Sequence, residues 1–149
     1  MKYSEEVAKK LNALLEKNYD SEKGYLLAAE NVKDQELKFF FNQRAKERYD
    51  FGHELKDEIR EFLEAPDPGT SLKSDIFRGW MNIKSIVYSD NEATFLKEVL
   101  RGEIAACDEY NEILHDRTIP PSTGNILVKH RNSIAAAVKQ IKSLQESKA

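Results

Sequence analysis

The sequence has few of the residues that interrupt helices or cross-link a fold. It contains one cysteine, four prolines and six glycines in 149 residues. The single cysteine, Cys107, excludes an internal disulfide and fits a reducing compartment, so we expect a cytoplasmic protein. No apolar run approaches the roughly 20 residues that span a bilayer, and the opening MKYSEEVAKK lacks the apolar segment of a secretory signal. We therefore expect no membrane partner.

The sequence also lacks a strong excess of charge of either sign. Its formal net charge is −3, although 33% of its residues are charged. This balance predicts no nucleic-acid partner, because nucleic-acid binding draws on clustered positive charge. With 40% hydrophobic residues, the chain is long enough to bury a core. We predict a single domain over residues 1–149.

Five segments with helical periodicity lie between the prolines and glycines, and each predicts an α-helix. They cover about residues 4–31, 34–64, 72–88, 92–115 and 125–145. Four are long, and the short third one would carry the chain from one antiparallel hairpin to the other. This order predicts an all-α, ferritin-like up-down bundle of helices 1, 2, 4 and 5 with a shorter crossover helix 3. An ordinary five-helix bundle is the alternative.

Two short motifs suggest metal ligands at first sight. Glu112 with His115, and Asp50 with His53, have the Glu-x-x-His type of spacing found in di-iron bundles. Each residue advances about 100° around a helix, which allows both motifs to be placed against the apolar stripe of their helix. Both fall on the far side from that stripe. We therefore predict that they face solvent and bind no metal.

A second set of ionisable residues falls on the apolar stripes and defines a predicted core polar network. Ionisable groups are rarely buried without a partner, and breaking a buried pair costs roughly 3–5 kcal/mol. The similar distances of Glu22 and Arg44 from the first turn predict an ion pair between them. We expect the second pair to join Lys84 to Glu103. The network comprises Glu22, Arg44, Lys84, Glu103 and His130, with Asn18, Arg48 and Glu47 nearby.

The network argues against a di-iron centre, which takes about four inward Glu and two inward His. Arg44 and Lys84 would repel a cation, so we expect no cofactor and no catalytic residues. The alternative is one transition-metal ion (Fe, Mn or Zn) held by Glu22, Glu103 and His130. A small-ligand binder with a polar interior is a third possibility. Elsewhere, Phe39 lies off its stripe and could mark a subunit contact.

Four stretches of the sequence form a recognisable pattern. They are residues 20–25 (DSEKGY), the run ELK at 36–38 leading to Arg44, residues 78–85 (RGWMNIKS) and RGE at 101–103. These stretches resemble an uncharacterised bacterial family of four-helix-bundle proteins, a domain-of-unknown-function family in the ferritin-like superfamily. The similarity runs from about Leu11 to about Leu114 and is most specific in RGWMNIKS. The resemblance implies the ferritin-like topology and matches Glu22, Trp80, Lys84 and Glu103 to positions of the family pattern. It supplies no reaction.

These observations lead to one expectation and its competitor. We expect a non-enzymatic bundle whose internal ion pairs replace a di-iron site, with a role in interaction or assembly. A link to stress physiology is an analogy from the superfamily. A homo-oligomer, by default a dimer, is the expected assembly. The competing function is that of a metalloprotein with a single metal in the bundle core.

Overall fold

A computed structural model of the protein describes residues 2–62 and 92–148. These residues form four α-helices and no strand, which confirms the all-helical prediction for this part of the chain. The helices are α1 (Lys2–Asn31), α2 (Gln35–Glu61), α3 (Glu92–Leu114) and α4 (Pro121–Ser147). The helix predicted at about 72–88, with Trp80 and Lys84, lies outside the described residues. No described helix is long and apolar enough to cross a membrane.

Local sequence explains where two of these helices begin. Asp34 caps α2, because its side chain accepts a hydrogen bond of 3.0 Å from the backbone N–H of Leu37. Helix α4 begins at Pro121, four positions before the predicted start at Asn125. Proline is tolerated at the first position of a helix, where its missing N–H has no acceptor to lose. The prediction was wrong here because it treated the prolines only as breakers.

The chain forms two compact units, Met1–Asp90 and Asn91–Ala149. In the first unit, residues 32–34 reverse the chain and α1 packs against α2. The Lys38 ammonium donates to the Ala29 carbonyl at 2.8 Å close to the turn, and Arg48 bonds to Asn18 farther away. Residues at similar distances from the turn therefore meet, as in an antiparallel hairpin. That a single domain covers residues 1–149 stays a prediction.

Apolar side chains from both helices fill the first unit. Tyr25 and Phe41 stack with ring centroids 6.0 Å apart, and neither is exposed. Phe41 is thus a core residue. Leu26 lies at helical spacing from the buried residues of α1, yet it is 44% exposed. The fully buried aliphatic side chains include Val7, Leu11, Leu37, Leu55 and Ile59.

The second unit is the pair of α3 and α4, joined by residues 115–120. Asp116 holds this connection by accepting bonds from the backbone N–H and the hydroxyl of Thr118, at 2.9 and 2.7 Å. Near it, Tyr110 contacts His130 and Asn111 contacts Arg131, so the end of α3 lies beside the first half of α4. The pair is antiparallel. Its buried apolar residues are Phe95, Leu96, Val99, Leu127, Ile134, Ala137 and Ile141.

Candidate functional site

A layer of polar side chains is buried between α1 and α2. The Arg48 guanidinium is 2% exposed and donates to Asn18 Oδ1 at 2.8 Å. Asn18 in turn donates from Nδ2 to the Leu14 carbonyl at 2.9 Å. This buried hydrogen bond fixes the position of α2 along α1, because a shift of one helical turn would break it. Buried polar groups of this kind can specify the register of packed helices.

Arg44 lies one turn before Arg48 and is also buried. It forms an ion pair with Glu47, three residues along the same helix. The sequence also predicts a pair between Arg44 and Glu22, which stays a prediction; the structure shows a pair of Arg44 with Glu47. Helical neighbours three residues apart meet without any constraint from a second helix, whereas a partner on α1 must also match in rotation.

Asp20 is fully buried on α1 and was missed by the sequence analysis. The apolar stripe was drawn through Asn18 and Glu22, and Asp20 falls between them in sequence but not on that line. The buried side of α1 is in fact wide, since Asn18, Asp20, Ser21 and Tyr25 all lie within it. The width of the buried side depends on how other parts of the protein pack against the helix. The sequence of one helix does not contain that information.

Glu22 is half-buried rather than part of the core. Partial burial removes water from its carboxylate and raises its pKa, and the nearby charges of His53, Lys56 and Lys23 partly offset this rise. His53 is exposed on α2 and meets the Tyr49 ring edge-on, with centroids 4.4 Å apart. Glu22 therefore sits at the margin of the helix pair, among cationic groups of both helices.

In the second unit the buried polar side chains are Glu103, Tyr110, Thr123 and His130. The Tyr110 hydroxyl and His130 Nδ1 are 3.0 Å apart, and both residues are almost completely buried. Their rings meet at an interplanar angle of 77°. The bond crosses from α3 to α4, so it fixes the relative height of these helices as the Asn18–Arg48 bond does for α1 and α2. Cys107 on α3 is half-buried.

The two Glu/Asp-x-x-His motifs point away from the core, as predicted. Asp50, His53, Glu112 and His115 are all exposed. The ring of His115 donates from Nδ1 to the carbonyl of Asn111 on its own helix, at 2.6 Å. The prediction that they face solvent is thus confirmed, and the prediction that they bind no metal stays a prediction.

The proposed metal ligands are divided between the units: Glu22 belongs to the first, and Glu103 and His130 belong to the second. Within residues 2–62 and 92–148, no three His, Cys, Asp or Glu side chains form a group suited to a metal ion. Lys84 lies outside the described residues. The five-residue core network and the single-metal alternative both stay predictions.

The described residues define an all-helical protein built from two antiparallel helix pairs, each with polar side chains buried between its helices. Residues 6–116 match the model of a family described as a domain of unknown function, DUF2383, and the chain belongs to that family. The predicted membership of a domain-of-unknown-function family is thereby confirmed. The match includes most of α1 and all of α2 and α3, and it ends before α4. A search of curated proteins finds no match.

Proposed function

We propose that this protein is a ferritin-like helical-bundle protein of the cytoplasm, with a non-enzymatic role in interaction or assembly. Its partners in this proposal are proteins, including further copies of the same chain, and not nucleic acid. The interior polar groups hold the helices in register and take the place that a di-iron centre occupies in metal-loaded bundles. The stress-related setting of the superfamily is carried over by analogy only.

One observation carries the proposal: several of the buried polar side chains are paired with another side chain of the protein. Arg48 is bonded to Asn18, Arg44 is paired with Glu47, and Tyr110 is bonded to His130. Two buried guanidinium groups in the first unit disfavour a cation nearby. Catalytic groups need access to a substrate. The side chains in these three pairs are at most 6% exposed, apart from that of Glu47, which is 26% exposed.

The order of the elements supports the ferritin-like part of the proposal. Two antiparallel helix pairs follow each other along the chain, and residues 62–91 separate them. A long connection between two hairpins is the connectivity expected of a ferritin-like bundle with one crossover.

Metal analysis tests the proposal against the metalloprotein alternative. The purified protein is exposed in turn to iron, manganese, zinc and copper, and its metal content is measured. We expect no stoichiometric metal. Glu103→Ala is compared with Glu112→Ala, which removes an exposed carboxylate from the same helix.

About one ion per chain that is lost in Glu103→Ala and kept in Glu112→Ala would overturn the non-enzymatic reading. His130→Gln then distinguishes a metal ligand from a structural histidine, because only the loss of a ligand lowers the metal content of the folded protein. Circular dichroism establishes that each variant is helical before its metal content is compared.

A further inference from the structure

The solvent-facing side of α3 carries a pattern of charge that packing among residues 2–62 and 92–148 does not explain. Its exposed residues recur at helical spacing and lie within about 100° of one another around the axis. We call them the α3 stripe: Lys97, Arg101, Ile104, Ala105, Asp108 and Glu112. Ile104 is 42% exposed, which makes it one of the few large apolar side chains left open to water.

The charges of the α3 stripe are separated by sign. Both bases, Lys97 and Arg101, precede Ile104, and both acids, Asp108 and Glu112, follow it. Lys97 and Glu112 are equally far from the midpoint between residues 104 and 105. Arg101 and Asp108 are also equally far from this midpoint.

This spacing makes the α3 stripe complementary to itself. Two copies of α3 aligned antiparallel about that midpoint place Lys97 opposite the partner's Glu112. The same alignment places Arg101 opposite the partner's Asp108, and a two-fold axis repeats both pairs. In such a two-fold contact the same patch is used on both subunits, which is the usual arrangement in dimers. Complementary charge of this kind fixes the register of a contact and suppresses others.

The centre of the stripe has room for a second helix. Ile104 would lie opposite the partner's Ala105, so that a large side chain meets a small one. Ala105 is itself exposed, so its small side chain leaves space for the partner's Ile104. The ion pair of Arg101 with Glu98 on the same helix, at 3.2 Å, does not block the contact. Arg101 is 69% exposed, and exposed pairs of this type contribute little.

We infer that two copies of this chain associate through the α3 stripe, antiparallel about a two-fold axis between residues 104 and 105. The inference rests on the proposed function and names its partner, a second copy. One helix face is a small interface, so the association is weak. The association also weakens with added salt, because dissolved ions screen the four exposed ion pairs that contribute to it.

The test is a charge exchange followed by sedimentation equilibrium over a range of protein concentrations, at low and high salt. One variant combines Lys97→Glu with Arg101→Glu, and the other combines Asp108→Lys with Glu112→Lys. Each variant alone faces like charges across the axis, so its self-association falls about tenfold or more. Mixing the two restores the dimer, because one stripe is then acidic and the other basic.

The matched control combines Lys139→Glu with Lys142→Glu, which makes the same change of charge on exposed positions of α4. The control keeps the wild-type association. A wild-type monomer at low salt, or a dimer that survives both exchanges, would overturn the inference. A wild-type monomer would also remove further copies of the chain from the partners in the proposed function. The metal-free interior of that proposal is tested separately, since it fails if metal is bound and then lost in Glu103→Ala.

Discussion

The bond between Asn18 and Arg48 allows the contribution of the buried polar layer to be measured directly. Asn18→Ala removes the oxygen that accepts from the Arg48 guanidinium at 2.8 Å, while Arg48 stays 2% exposed. A hydrogen bond to a charged group contributes about 1.5–3 kcal/mol, and a buried donor left without an acceptor costs a similar amount. We therefore expect Asn18→Ala to lower the free energy of unfolding by about 2–3 kcal/mol.

Arg48→Met removes the charge and keeps most of the length of the side chain, and the double variant replaces both partners. Replacing both sides of a buried polar contact by apolar groups is less damaging than replacing one side. Urea unfolding of the four proteins then gives a coupling free energy, which we expect at about 1.5–3 kcal/mol. The control cycle uses Asp57 and Arg60, whose contact at 3.5 Å is between side chains 81% and 61% exposed.

The control cycle should give a coupling below about 0.5 kcal/mol, as exposed ion pairs do. If the Asn18–Arg48 coupling were equally small, the buried bond would not hold the helix pair together. The account of the polar layer as a register-fixing element would then be refuted.

Three further predictions concern single residues. Burial raises the pKa of Glu22 in the folded protein. The contribution of this carboxyl group to the free energy of unfolding is therefore present at low pH and is lost as the pH rises through the folded pKa. Glu22→Gln should therefore be more stable than the wild type at pH 7 in thermal unfolding, with the difference shrinking toward and below the ordinary carboxyl pKa of 4.5. Tyr110→Phe removes the bond to His130 and should cost about 1–2 kcal/mol in urea unfolding; an unchanged midpoint would contradict the role given to that bond. Phe39→Ser, at a side chain 67% exposed, should change stability by less than about 0.5 kcal/mol. If Phe39→Ser abolished self-association in sedimentation, the subunit contact would lie on α2 and not on α3.

Much of the fold follows from the sequence, because helical periodicity and capping act locally. The predicted ends of the first and fourth segments lie within about two residues of α1 and α3. The Asp34 cap needs only its own first turn, so it is visible in sequence. The early start of α4 at Pro121 was missed, although its cause is equally local.

The burial of Arg44, Arg48, Glu103 and His130 was also predictable, since each lies on the stripe of its helix. The partner of each buried side chain is harder to predict. Choosing between Glu22 and Glu47 for Arg44 depends on how α1 is rotated against α2, and rotation is set by the whole packed surface. Leu26 shows the same limit: its place on the stripe was right by angle, yet it is exposed. A helical wheel gives the centre of the buried side but not its width.

Glu112 bears on both the interior and the surface of the protein. Its spacing to His115 suggests a metal ligand, but both side chains are exposed, which removes them from any interior site. The same exposure places Glu112 at the end of the α3 stripe, where an antiparallel copy would present Lys97. Exchanging Glu112 and Asp108 for lysine therefore tests whether α3 uses this surface between copies of the chain, whatever the interior binds.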